Sequence, residues 1–377
     1  MPRKSAAIPD VLIIGGGIMG TSSAWELARH GAKVTVLERS VPGAEASSAA
    51  AGILGAQAEA HAPGPMAELC LASRARYAKF AAALSKETQI DVGYRECGVL
   101  QVGFERKRLN ELQRASAWQK RQGEAVQHVT QKQLAALEPG LSEKLAGGVR
   151  FAADSRVEPK ALLRALHIAA LNRGVHFQSG AFVRRVAVSG NRATGVVLDD
   201  GSELRARHVV VAAGSWTSLI DGIGLPAGRV IPARGQIVEL ELAAPPISHV
   251  VFGPGAYLVP RDDGRLLVGA TVEFVGYQRD VTAGAVRDLL SHAIALVPEL
   301  ERASLRGTWS NFRPYTRDHL PLLGSSPIVG LTLSTGHYRN GILLAPISAE
   351  IVRAAVLGQR APIASASLAA FSPERAP

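Results

Sequence analysis

The segment Val11–Gly20, VLIIGGGIMG, constrains this chain more than any other. A short apolar run enters Gly15-x-Gly17-x-x-Gly20, and the residues from Ile18 to His30 continue with helical spacing. Apolar strand, glycine turn, then helix is the opening βα unit of a dinucleotide-binding fold. Gly15 allows the tight turn, Gly17 lets backbone approach a pyrophosphate, and Gly20 lets helix and strand pack closely. The phosphates then meet unpaired N–H groups and partial positive charge at the helix start, which here begins with Ile18 and Met19.

A glycine triplet alone fits many α/β proteins. Here Lys33–Glu38 (KVTVLE) follows as a second strand ending in an acid. The acid falls 18 residues past the last glycine, close to where a carboxylate accepts from ribose hydroxyls. A carboxylate in that place repels a ribose 2′-phosphate, so FAD or NAD is expected rather than NADP.

A length of 377 residues accommodates two to three domains and a large core. Cys70 and Cys97 are the only cysteines, in no metal or redox spacing, which points to a reducing cytoplasm and no metal site. The histidines at 61, 128, 167 and 176 show no ligand spacing either. No stretch approaches the roughly 18 apolar residues of a membrane span. The start, MPRKSAAIPD, is too short and polar for a signal peptide. A formal charge of +10 admits anionic lipid, nucleic acid or an acidic partner. The densest basic stretch, Arg106–Arg121, alternates its charges with Leu109, Leu112 and Trp118 and reads as a solvated helix face. No nucleic-acid motif accompanies it, so no nucleic-acid partner is expected. Peripheral contact with an anionic membrane is compatible with the charge.

Further along, Val41–Ser48 and Ala49–Gly55 are rich in small residues that let backbone lie against a flat ligand. Helices are expected over Met66–Ser85, Arg106–Arg121, Gln131–Pro139, Glu158–Arg173 and Val281–Val297, and short strands over Val183–Val188 and Thr194–Leu198. Arg207–Ala213 (RHVVVAA) is a buried strand, so the chain returns to the first sheet after an excursion. A second excursion spans 226–305, with strands at Ile237–Leu242, Ala256–Pro260 and Arg265–Gly269. Ile328–Ser334 is a last strand, and Thr335–Pro346 opens a final helix.

Taken together, VLIIGGGIMG, Glu38, SSAAAGILGAQAE at 47–59, VVVAAGSW at 209–216, YLVPR at 257–261, LLVGAT at 266–271, FRP at 312–314 and GHYRNGILLAP at 336–346 resemble the D-amino acid oxidase family of FAD-dependent amine oxidoreductases. Within it, SSAAAGILGAQAE and GHYRNGILLAP resemble the branch of bacterial glycine oxidases of thiamine biosynthesis. The resemblance implies an α/β fold: a discontinuous Rossmann-like FAD domain (1–90, 146–225 and 306–377) and an α+β substrate domain (91–145 and 226–305) with an antiparallel sheet over the flavin. It implies FAD contacts at Gly15, Gly17, Ile18, Met19, Gly20, Glu38 and Arg39, at Ala46, Ser47, Ala51, Gly52 and Ile53, and at Val183 through backbone. His337, Tyr338, Arg339, Asn340, Gly341, Ile342 and Leu343 would wrap the flavin ring, with a helix N-terminus facing its pyrimidine end. Arg313 matches a substrate-carboxylate arginine, Tyr257 a hydroxyl donor to the same carboxylate, and Arg339 a second substrate-site arginine. His319 and His337 are the two histidines in site segments.

The activity implied is oxidative deamination of glycine or a similar small amine, sarcosine or a small D-amino acid, with oxygen as acceptor and no side-chain base required. A quinone-linked dehydrogenase of the same fold is the alternative, followed by a tRNA-modifying flavoprotein and a non-catalytic FAD-binding protein. The resemblance also implies a homo-oligomer. Relatives often read W-x-G-x-R-P where this chain has Trp309–Pro314 with Asn311, and Tyr315–His319 replaces a turn richer in Gly and Pro. With no cysteine beyond Cys97, a cysteinyl link in the late arginine-containing region is excluded, so FAD is expected to be non-covalent.

Overall fold

The structure, a computed structural model, describes residues 9–375. Eight of the ten residues read above as too polar for a signal peptide lie outside the described residues, as do the two C-terminal ones. Val11–Ile14 is a fully buried strand flanked in parallel by Val34–Glu38 and His208–Val211. With His176–Ser179, Leu331–Thr335 and Leu322–Ser325 they form a six-stranded sheet, parallel except for Leu322–Ser325 at one edge. Parallel strands read as near-continuous apolar runs because both faces are covered. One face carries the helices Ile18–Arg29, Pro65–Thr88, Pro159–Asn172 and Gly341–Leu357, whose apolar sides share one core. The other face packs on the three-stranded antiparallel meander of Val183–Ser189, Arg192–Leu198 and Glu203–Arg205.

The second sheet has eight strands. In spatial order they are Ser304–Tyr315, Ile231–Glu241, Arg265–Gly269, Tyr257–Pro260, Val250–Phe252, Val99–Gly103, Gly147–Phe151 and Val126–Thr130. All neighbours are antiparallel apart from Val250–Phe252 beside Val99–Gly103. The helix Ala283–Leu296 covers one face through Leu289, Ala293 and Leu296. The opposite face, with Ile237, Tyr257 and Leu267, packs toward Ala51 and Ala58 of the nucleotide-binding half. The anticipated boundaries at 146 and 306 differ from this pairing. Gly147–Phe151 and all of Ser304–Tyr315 hydrogen-bond into the eight-stranded sheet, so the chain crosses between sheets after Phe151 and after Tyr315.

The strongly periodic segments match expectation within a few residues, and Arg106–Arg121 is a helix over the stretch expected. It buries Leu109, Leu112, Ser116 and Gln119 and exposes most of its cations, as a solvated face should. The pairing of Ile231–Glu241 with Ser304–Tyr315 was not legible. Pro232 stands opposite Pro314 within it, and the second strand is polar over much of its length. No alternation marks it, because Phe312 is its one buried residue among those described.

At Gly20 a Cβ would stand 1.8 Å from the Gly15 carbonyl oxygen, so the helix can approach its strand only without a side chain there. Gly20→Ala is expected to cost about 1–3 kcal/mol or more by overpacking. Gly284→Ala, in a helix position where an added Cβ meets nothing within 4 Å, is expected to stabilise by roughly 0.5–1 kcal/mol. Urea unfolding of the two variants checks the contrast.

Candidate active site

One cleft runs between the two sheets, with about 1650 Å³ of empty space including its open mouth. At one end lie Gly15, Gly17, Ile18 and Met19 of the glycine turn, with Glu38 and Arg39 beyond them. Glu38 Oε2 accepts from the Gly16 N–H at 2.9 Å and Oε1 from the Ser40 N–H at 2.9 Å. The carboxylate therefore braces the turn from the end of the second strand, and is 7% exposed. Ser47 Oγ accepts from the Ile18 N–H at 3.0 Å, closing the first turn of the helix where an anion would also be drawn. The Arg39 guanidinium lies 3.8 Å from the ring centre of Trp216 and pairs with Glu45 at 2.5 Å.

The middle of the cleft is bounded by Ala46, Ser47 and Ala49–Ile53 on one side, Val183 on another, and Ser334–Ile342 toward the far end. Among the described residues, two buried polar atoms here have no partner: Ser334 Oγ and His337 Nδ1. His337 is 2% exposed, and burial pulls its pKa down to about 3, so the ring is neutral. Its Nε2 lies 3.1 Å from Ser348 Oγ, which orients the ring and turns Nδ1 away. The helix starting at Gly341 makes its first i→i−4 bond from the Leu344 N–H to the Asn340 carbonyl, and ahead of it the Tyr338 and Asn340 N–H groups donate to the Pro314 and His337 carbonyls, each at 2.9 Å.

At the other end, Arg313 projects from Ser304–Tyr315, opposite Ala233 and diagonal to Gly235. A Cβ at Gly235 would stand 2.2 Å from Arg313 Nη1, so the guanidinium lies directly over bare backbone. It donates to the Thr271 carbonyl at 3.0 Å. Tyr257, opposite Gly269, lies over it in the same manner: a Cβ there would come within 2.4 Å of the Tyr257 hydroxyl oxygen. Burial raises the Tyr257 pKa, opposed by the Arg313 and Arg339 cations, so the hydroxyl keeps its proton at neutral pH and can donate. Arg339 Nε stands 3.3 Å from Glu59 Oε2, and that carboxylate raises the arginine's pKa. Glu59, absent from the sequence-based set, thus faces the same space as Tyr257 and Arg313. It lies within SSAAAGILGAQAE, but nothing in its spacing marks it as facing a ligand. Trp216 is a second omission, reached only because the strand end at Val211 turns back over the cleft.

Three of the expected contacts do not line the cleft. Gly20 is spent on helix–strand packing. Asn340 precedes the helix as its cap residue, and Leu343 is 1% exposed in the helix-side core. The remaining expected cofactor and substrate residues all line it. His319 is not among the lining residues; it packs edge-on against Tyr315 and Tyr338.

The chain matches the family of FAD dependent oxidoreductases (DAO) over residues 10–355. It belongs to that family. It is 37% identical over 348 residues to the glycine oxidase of Geobacillus kaustophilus, covering 91% of each chain. It is 42% identical over 373 residues to a bifunctional protein ThiO/ThiG of Synechocystis, covering 97% of this chain and 54% of that protein. The chain thus spans about half the length of the bifunctional relatives it matches. The crystal structure of Geobacillus kaustophilus glycine oxidase superposes with a TM-score of 0.92 at 36% identity, covering 98% of this chain and 99% of that one. An iminodiacetate oxidase from Chelativorans superposes with a TM-score of 0.88 at 28% identity. The cofactor of this family member is FAD. The residues present suit it: a braced glycine turn, and a cleft lining in which Ser334 Oγ and His337 Nδ1 are buried with no partner among the described residues.

Because Glu38 holds the Gly16 amide beside the cleft, Glu38→Ala should slacken the glycine turn. A loss in FAD affinity of about 1–3 kcal/mol is expected, read by recovery of free-flavin fluorescence on dilution.

Proposed function

We propose that this enzyme oxidises glycine or a similar small amine, such as sarcosine or a small D-amino acid. The observation that carries the reading is Arg313 laid over Gly235 beside a protonated Tyr257, in the same cleft that the glycine turn lines. A guanidinium with a neighbouring hydroxyl donor is suited to one carboxylate, held by parallel charge-assisted hydrogen bonds. Glycine oxidases and an iminodiacetate oxidase among the similar proteins support an amino acid as the ligand.

FAD, held non-covalently along the cleft, would supply the hydride acceptor for the α-hydrogen. Non-covalent attachment is supported by the cysteines, since neither Cys70 nor Cys97 lines the cleft. Gly15, Gly17, Ile18, Met19, Glu38 and Arg39 would hold the dinucleotide, with Ala46, Ser47, Ala51–Ile53, Val183, His337–Arg339, Gly341 and Ile342 around the rest. Arg313 and Tyr257 fix the carboxylate, with Arg339 beside them in the substrate site, paired with Glu59. No side chain is required to remove a carbon-bound proton. The neutral amine nitrogen contributes its lone pair as the hydride leaves, and the residues act by positioning and by excluding water. With oxygen as final acceptor, glycine, oxygen and water give glyoxylate, ammonia and hydrogen peroxide. The ThiO part of the relatives' names suits delivery of the imine or oxo-acid to thiamine synthesis. Two free cysteines suit the cytoplasm, and the chain is read as a homo-oligomer. No helix among the described residues is long and apolar enough to cross a membrane.

Arg313→Ala tests the assignment. The variant should keep its yellow FAD while kcat/KM for glycine falls by several kcal/mol equivalent, on the order of 3–5, because a buried carboxylate loses its partner. Unchanged kinetics would remove Arg313 from the site. Tyr257→Phe should weaken binding of acetate by about 1 kcal/mol. In the unaltered enzyme, acetate affinity should show no tyrosine titration below pH 10.0, since burial raises that hydroxyl.

A further inference from the structure

We propose that Asp154 is a positioning residue for the substrate end of the cleft: by clamping the Gln57 and Ala58 amides, it sets the Glu59 carboxylate against Arg339. Asp154 is fully buried. Its carboxylate accepts from the Gln57 N–H at 3.0 and 3.1 Å and from the Ala58 N–H at 2.8 Å. Arg74 Nη1 stands 3.6 Å away, but that guanidinium is already committed to Gln57 Oε1 at 2.7 Å and to Glu124 at 2.6 Å. The same short stretch is gripped through its carbonyls. Buried Gln119, from the basic helix, donates to the Gln57 carbonyl at 2.9 Å and to the Ala60 carbonyl at 3.1 Å. Gln101 donates to the Ala58 carbonyl at 2.6 Å.

Burying a carboxylate is costly unless its oxygens are hydrogen-bonded. Burial pushes the Asp154 pKa up to about 7, against the pull of the Ala58 and Gln57 amides and of Arg74. Three further side chains are spent on a turn that contains neither strand nor helix. What the turn delivers to the cleft is Glu59, 3.3 Å from Arg339. Held there, Glu59 neutralises Arg339 and leaves Arg313 as the cation for a single carboxylate. The clamp therefore sets a preference for ligands with one carboxylate over ligands with two. This inference rests on the amino-acid reading above for the identity of the natural ligand.

The test uses the FAD-loaded enzyme and two simple probes, acetate and malonate, with dissociation constants read from the shift in flavin absorbance. Glu59→Gln should raise malonate affinity relative to acetate several-fold. Asp154→Asn, of matched size, should move the ratio the same way, and the double variant should go no further than Glu59→Gln alone. FAD content and Tm are measured on each variant. If Asp154→Asn does not fold, Gln119→Met loosens the same turn without disturbing a buried charge and should shift the ratio in the same direction. A wild-type ratio in Asp154→Asn, or in Gln119→Met where that variant is needed, overturns the proposal. So do shifts that add in the double variant. Reduction of the unaltered enzyme by glycine is followed alongside. Its failure with the ratio shift intact would remove the substrate and leave the clamp.

Discussion

The register between Ile231–Glu241 and Ser304–Tyr315 is the constraint on which the substrate end of the molecule depends. Side chains along a strand alternate between faces, so a slip of one residue would turn Arg313 away from the cleft. The observed register places Arg313 opposite Ala233 and clears the diagonal position with Gly235. Gly269, two strands across, makes the same clearance for Tyr257. Two absent side chains thus let a cation and a phenol lie flat on the sheet. Either filled position would push its partner out of place.

The cleft exists because two different kinds of sheet face each other. The parallel sheet presents strand ends and a helix start, which supply oriented amides for an anionic cofactor. The antiparallel sheet presents a face of side chains, which supplies shape and the Arg313–Tyr257 pair. Contacts that tie the two halves run through the small-residue segment after Glu38. Trp309 Nε1 donates to the Ala49 carbonyl at 3.0 Å, and Arg279 reaches Glu45 at 2.6 Å. Arg261, 2% exposed, donates to the Ala51 carbonyl at 2.6 Å and the Val157 carbonyl at 3.0 Å. The smallness of residues 46–52 therefore serves ligand and inter-sheet packing together.

Much of the nucleotide half was legible in the sequence, because its signals are local. Strand, turn, helix and the acid at Glu38 occupy one contiguous stretch, and the glycines have steric jobs that any such turn imposes. The substrate half was legible mainly through resemblance. Arg313 sits in a polar, proline-bearing strand whose identity comes from pairing with a partner some seventy residues earlier in the chain. Glu59 was invisible for a similar reason: its direction is set by Asp154, Gln119 and Gln101, all distant in sequence. Gly20 and Leu343 show the converse, where a motif position is taken up by packing instead of ligand contact.

The most direct measurement is anaerobic addition of glycine to the purified yellow enzyme, followed by admission of air. Bleaching of the flavin absorbance by glycine, then rapid return of colour with one peroxide formed per glycine consumed, is the predicted result. A flavin that stays fully coloured with glycine, sarcosine and D-alanine alike would contradict the assignment of Arg313 and Tyr257 to a small amino acid.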